Sequence, residues 1–242
     1  MLTVRIAGLS IAIDNKYRHI EHLCKDYLTD DEPDFTVFAE EGDIDREREA
    51  CLEEFGERFS DGYLESTVIY RKIADKLPEY GAFVFHGAVL SVDGLAYAFT
   101  ARSGVGKTTH TRLWLELFGE RAHYINGDKP IIRFIDGIPY AFGTPWMGKE
   151  SYGRNTSARL AGIAHVKRGQ DNIARTATAD EMSTVLLTQM YLPKDRLMAM
   201  RTLSLLSEMI GKVKLIELEC NMEKTAPIPP AREFGISLDL GG

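Results

Sequence analysis

The sequence predicts an α/β fold, a mixed and largely antiparallel sheet that carries a glycine-bearing loop and is preceded by a small N-terminal α/β region. Three observations lead there. Residues 95 to 118, LAYAFTARSGVGKTTHTRLWLELF, pass from an apolar, aromatic-rich strand pattern through the loop into a helix, where Leu113, Trp114, Leu117 and Phe118 recur at helical spacing until Gly119. Asp93-Gly94 and Asp136-Gly137 each sit between apolar runs, in residues 82 to 100 and 131 to 142, and Asp-Gly in that setting signals a two-residue hairpin turn. The loop strand is then the second arm of an antiparallel hairpin, whereas an all-parallel sheet would need a crossover helix before it. Finally, residues 1 to 80 alternate short strand and helix patterns without any phosphate-binding or metal-ligand spacing, which suits a scaffold or a partner surface.

Taken in order, residues 2 to 13 read as two short strands around Gly8, and Lys16 to Leu28 as a helix with Ile20, Leu23 and Leu28 inward. Phe35 to Phe38 is a strand candidate. Cys51, Leu52, Phe55 and Phe59 place a helix over Ile44 to Phe59, and Val68, Ile69, Ile73 and Leu77 place another over Leu64 to Leu77, closed by Pro78 and Gly81. Residues 81 to 222 hold the loop and both hairpins, then a strand at Leu160 to Val166, helices at 179 to 191 and 194 to 210 broken at Pro193, and a last strand at Val213 to Leu218. Residues 223 to 242 are Pro-rich and read as an exposed or disordered tail.

The 242 residues carry a net charge of −7 and a hydrophobic fraction of 44%, enough for a sizeable core and without the general basic field that nucleic acid attracts. Of 36 acidic and 29 basic side chains, 17 and 4 lie in residues 21 to 65, so the rest of the chain, with 19 and 25, is mildly basic. That suits an anionic ligand, and an acidic solvated surface on the N-terminal helices accounts for the same counts. Cys24, Cys51 and Cys220 share no CxxC spacing, so reduced thiols in a cytoplasmic protein are expected. The N-terminus lacks a cleavage pattern and no apolar run reaches the ~18 residues of a spanning helix, so neither secretion nor a membrane is expected.

The loop SGVGKTT, from Ser103 through Gly104, Val105, Gly106, Lys107 and Thr108 to Thr109, is the core of a phosphate-binding P-loop. Its glycines let successive N–H groups and the positive end of the following helix face one anion. Lys107 then reaches the β- and γ-phosphates and the Thr108 hydroxyl ligates Mg²⁺. Ala101 replaces the first glycine of the full GxxxxGK[ST] pattern, at a strand exit where extended backbone suffices. The alternative is a lysine-bearing loop that binds nothing. In NGDKP, residues 126 to 130, a carboxylate at Asp128 can hold Mg²⁺ or accept a proton in phosphoryl transfer, and it can equally be a turn former. The turn-rich stretch GTPWMGKESYGRN, residues 143 to 155, can bring a cation, first of all Lys149, to the γ-phosphate, or be a surface loop pinned by Trp146. His110 is open to either a surface or a nucleotide-facing place.

FHGAVLSVDG followed by SGVGKTT resembles the HPr kinase/phosphorylase family, whose kinase domain has the phosphoenolpyruvate carboxykinase fold. SGVGKTTHTRLW, INGDKP, YAFGTPWMGK and CNM are still more similar to a group of short bacterial proteins labelled HPr-kinase-like or serine-kinase-like, over residues 64 to 222. The resemblance implies an ATP- and Mg²⁺-dependent phosphotransferase acting on a hydroxyl, with a protein or peptide serine favoured, and leaves self-association open. It also implies a histidine near the catalytic aspartate, at His86, where a hydrogen-bonded core histidine is the other reading. The family carries two successive aspartates, and here Gly127 precedes Asp128, the match to the second. Gly127→Asp is therefore expected to raise turnover, provided that Gly127 does not need a positive φ. A non-catalytic nucleotide-binding accessory or sensor is the alternative that Gly127 favours. A carboxykinase activity is disfavoured for want of a further His/Lys/Asp metal set.

Overall fold

The computed structural model describes residues 1–102 and 104–238, apart from the Phe55 side chain; Ser103, expected in the loop, lies outside the described residues. The N-terminal part is a three-stranded sheet of β1 (Leu2–Ile6), β2 (Leu9–Asp14) and β3 (Phe35–Phe38), with α1 (His19–Leu23), α2 (Asp43–Phe55) and α3 (Asp61–Lys76). Ala7 and Gly8 both take positive φ, 52° and 72°, and so form the primed type of hairpin turn between β1 and β2. The helix expected from Lys16 to Leu28 is shorter: α1 gives way to a 3₁₀ turn at Lys25–Tyr27, and Leu28 stays exposed.

The larger sheet runs in the order β4 (Ala82–Val84), β8 (Ile131–Ile135), β9 (Ile138–Phe142), β10 (Ser157–Arg168), β6 (Leu95–Thr100), β5 (Ala88–Val92) and β7 (Ala122–Asn126). Beyond Gly162, β10 exchanges β9 for β12 (Lys214–Cys220), which also pairs with β11 (Ile173–Thr176). The sheet is mixed: β6 and β12 run parallel to β10, while the other pairings among the described residues are antiparallel. Asp93 and Gly94 have φ of 51° and 79°, Asp136 and Gly137 have 49° and 73°, and both pairs close hairpins. Val89 lies opposite Ala98, so the strand ending at Thr100 does pair antiparallel with its predecessor.

Residues 82 to 100 form three strands rather than two. Phe85 N–H bonds to Pro130 O and Gly87 N–H to Asp128 O, so β4 leaves the hairpin and follows residues 128 to 131. A side chain at Gly87 would strike the Phe85 ring and the Phe99 carbonyl, which explains glycine at the break.

The strand residues alternate between two buried faces. Tyr97 and Phe99 of β6 join Leu113, Trp114 and Phe118 of α4 (Lys107–Phe118), while Ala96 and Ala98 face Met182 and Leu186 of α5 (Ala179–Leu187) and Leu206 and Met209 of α6 (Arg196–Ile210). Large residues thus point to one helix layer and small ones to the other, as period-two geometry requires. In β10 an irregularity between Leu160 and Gly162 resets that parity, so that Leu160 and Ile163 share one face.

Residues 223 to 238, expected as an exposed tail, instead pack on the core. Ala226, Ala231 and Ile236 are buried, and Phe234 of α7 (Ile228–Phe234) lies 4.8 Å from the Tyr97 ring. Pro229 and Pro230 occupy the first turn of α7, where a missing N–H costs nothing, so proline enrichment here marks a helix start. The N-terminal part shares a third core with β4 and β8, through Ile69, Ile73 and Leu77 against Val84 and Ile131. No helix among the described residues is long and apolar enough to cross a membrane.

Candidate functional site

The loop leaves the buried end of β6 through Ala101, which is 4% exposed. Gly104 and Gly106 take φ of 77° and 112°, a region that favours glycine, and turn the chain into α4. Gly106 caps that helix, and among the described residues no side chain hydrogen-bonds to the N–H groups of its first turn. Thr108 is exposed, Lys107 and Thr109 are half-buried, and the Thr111 hydroxyl ties the turn together by donating to Lys107 O and Thr108 O. Burial pushes the Lys107 ammonium pKa down, Asp128 opposes that shift and Lys129 adds to it, so these three charges share one field.

Asp128 stands where it does because of Asn126, the last residue of β7. The buried Asn126 amide oxygen accepts from the N–H groups of Asp128 at 2.8 Å and Lys129 at 2.7 Å, and its nitrogen donates to Thr144 O and Oγ1. The carboxylate then has His86 Nε2 3.2 Å from one oxygen and Lys129 Nζ 3.6 Å from the other. Burial by itself would raise the Asp128 pKa, but the His86 hydrogen bond and the charges of Lys129, His86 and Lys107 outweigh it and bring it down to about 2. Asp128 is therefore an ionised carboxylate at neutral pH. His86 is held by its own N–H to Gln189 O at 2.6 Å, with Thr100 Oγ1 at 3.4 Å from its carbonyl.

The stretch 143 to 155 comes back to this carboxylate. Gly148, with φ of 78°, lies so close to Asp128 that an added Cβ would be 3.0 Å from the Asp128 Cβ. Lys149 follows in the same turn and is exposed. Trp146 donates its Nε1–H to Ser66 O at 3.2 Å, which moors the turn on α3. Gly127 has no positive φ; its N–H bonds to Tyr152 O at 2.7 Å, and a Cβ there would lie 3.1 Å from that oxygen and 3.3 Å from Met147 O. A side chain at Gly127 would thus crowd Tyr152 and the Met147 carbonyl in the turn that carries them.

His110 is not at the surface, the first of its two expected places. It is 2% exposed, its Nε2 accepts from Trp114 Nε1 at 2.9 Å, and Cys220 Sγ lies 3.6 Å from its Nδ1. Burial lowers its pKa to about 4, so the ring is neutral, with its proton on Nδ1. Sequence reasoning missed three residues. Asn126 was signalled by its place two before Asp128, since asparagine caps such turns. Lys129 lay within the same string. Arg168, whose Nη2 donates to Gly104 O at 3.1 Å, had no local signal, because the parallel pairing of β6 with β10 brings it to the loop from 64 residues away.

Among the described residues no three His, Cys, Asp or Glu side chains converge to hold a metal on their own. The hard oxygens of Thr108 and Asp128 fit Mg²⁺, which is commonly held by one or two carboxylates together with phosphate oxygens and water.

No family model matches the chain, and no curated protein matches it. Among solved structures, the HPr(Ser) kinase/phosphatase from Coxiella burnetii is similar over 62% of this chain and 91% of its own, at 8% sequence identity and a TM-score of 0.35. This is a distant likeness, and the functional reading rests on the residues of this chain.

Proposed function

We propose that the protein is an ATP- and Mg²⁺-dependent phosphotransferase that moves the γ-phosphoryl group to a serine-type hydroxyl of a protein, a peptide or a small acceptor. The observation that supports this best is Asp128, ionised between His86 and Lys129 and within the field of the loop lysine Lys107. The first-turn N–H groups of α4 and Lys107 bind the phosphates. Thr108 and Asp128 are the residues that would hold Mg²⁺, which supplies charge neutralisation at the β- and γ-oxygens. Lys149, in the turn against Asp128, faces the transferring group as a further cation.

A carboxylate with a pKa of about 2 is a weak base, and proton acceptors work best near the operating pH. We therefore assign the acceptor's proton to His86, whose Nε2 lies 3.2 Å from the Asp128 carboxylate. The acceptor oxygen bonds to the γ-phosphorus, the bond to the β,γ-bridging oxygen breaks, ADP departs, and the hydroxyl proton ends on His86. A nucleotide-binding protein without catalysis is the second reading, favoured by the crowding at Gly127 that leaves Asp128 without a neighbouring carboxylate.

Calorimetry and single-turnover transfer from γ-labelled ATP to a serine peptide or water test both readings. Lys107→Ala is expected to lower ATP affinity by more than about tenfold, and Asp128→Asn to abolish transfer while affinity stays within about tenfold. Equal ATP affinity in wild type and Lys107→Ala would sink the nucleotide reading. ATP that binds wild type yet keeps its γ-phosphate would leave the accessory reading in place.

A further inference from the structure

Beside the loop, between the first turn of α4 and the C-terminal ends of β10 and β12, lies a pocket of about 320 Å³. That is the lower end of the ~300–1,000 Å³ typical of small-molecule sites. Val166, His110 and Cys220 line it, with Val105, Arg168 and Met222 also around it. Here belongs the string CNM, residues 220 to 222, which the phosphate chemistry leaves without a role. Met222 is 60% exposed, and its Cε would lie 3.7 Å from a Cβ placed on Gly106.

Two features decide what such a pocket takes. The sheet order β12-β10-β6-β5-β7 sets it on one side of the loop and Asp128, which follows β7, on the other. A ligand whose reacting end meets Asp128 therefore has its opposite end here. Several of its polar groups are, moreover, already engaged: the His110 nitrogens with Trp114 and Cys220, Arg168 Nη2 with Gly104 O, and the Asn221 amide with Gln170 O at 2.9 Å and Glu223 N at 2.9 Å. What it offers is chiefly an apolar surface and one adaptable thioether, with the Thr109 hydroxyl and the Arg168 guanidinium at its edge.

We propose that this pocket holds the base of a purine nucleoside triphosphate, packed against Met222 and Val105, with the phosphates crossing the loop toward Asp128. The proposal rests on the phosphate-binding reading of the loop. Because methionine contacts an aromatic ring without directional hydrogen bonds, adenine and guanine are discriminated only weakly.

Calorimetry with ATP, GTP and inorganic tripolyphosphate on wild type, Met222→Ala and Lys107→Ala tests it. Wild type is expected to bind ATP and GTP within about fivefold of each other and both at least about tenfold more tightly than tripolyphosphate. Met222→Ala lowers both nucleotide affinities about fivefold and leaves tripolyphosphate unchanged. Lys107→Ala weakens all three. Equal binding of ATP and tripolyphosphate by wild type, or unchanged nucleotide affinity in Met222→Ala, would overturn the base pocket while the loop reading stands. A preference of more than about fiftyfold for one purine would overturn the packing account. Failure of all three probes to bind wild type would overturn the loop reading and this proposal with it.

Discussion

At the scale of single residues, Gly127 is where the sequence and the structure pull apart. From the sequence it looked like a missing carboxylate that Gly127→Asp could restore. The backbone φ would allow it, yet Tyr152 and Met147 main-chain oxygens at 3.1 and 3.3 Å from the new Cβ would not yield as a flexible side chain does. Gly127→Ala is expected to cost about 1–3 kcal/mol, in the range of an overpacked site, and Gly127→Asp to be less stable still with no gain in turnover. Urea denaturation together with single-turnover transfer checks this; a faster Gly127→Asp enzyme of wild-type stability would show that the turn moves aside freely. The cause was not visible in the string because Tyr152 lies 25 positions away and reaches Gly127 only through the 143 to 155 turn. What could be read locally was the turn itself, since the asparagine, the aspartate and the lysine are neighbours in the chain.

At the scale of elements, hairpins were legible and the C-terminal helix was not, for one physical reason. A two-residue turn is decided by the backbone preference of the two residues in it, and Asp-Gly at 93–94 and 136–137 adopts the required positive φ wherever the chain takes it. Helix α7, in contrast, spans only Ile228–Phe234 and would not be stable alone; it exists because Phe234 reaches Tyr97 and Trp114, at 4.8 and 6.3 Å between ring centres, over the bare surface of Gly162. A ring that is partly exposed should contribute less than the ~3–5 kcal/mol of a fully buried aromatic. Phe234→Ala is accordingly expected to destabilise by about 2–3 kcal/mol, and chain ending at residue 222 to unfold at a lower urea concentration than that variant. If the truncated chain unfolded at the wild-type midpoint, α7 would be an ornament on the sheet rather than part of its cover. Strand β10 was hard to read in the same way: its pairing changes from β9 to β12 along its length, and nothing in its own residues names those partners.

At the scale of the whole molecule, buried His110 and half-buried Asp128 each add to the pH dependence of stability, in separate windows. His110 is neutral in the fold, with its pKa lowered by burial from 6.5 to about 4. Between those values the unfolded chain binds a proton that the folded chain does not, so stability is full above about pH 6.5 and falls as pH drops toward 4. At about 1.4 kcal/mol per pH unit, this amounts to roughly 3 kcal/mol. Asp128 acts lower down: its folded pKa of about 2 lies under the ordinary 3.8, so its contribution of roughly 2 kcal/mol is present above about pH 4 and is lost as pH falls through 2. The two windows share only an edge, which lets one variant separate them. His110→Gln can still accept from Trp114 but carries no proton to gain, so its urea midpoint is expected to decline less from pH 7 to 4.5 than that of wild type, with His123 and His165, also lowered by burial, left to carry the remainder. Asp128→Asn is expected to do the opposite, keeping the decline above pH 4 and shrinking the one below it, which Asp31, Asp43, Asp61, Asp93 and Glu181 also carry. Denaturation series at half-unit pH steps measure both, and a wild-type midpoint constant from pH 7 to 4.5 would show that His110 is not held neutral in the fold by its contacts with Trp114 and Cys220.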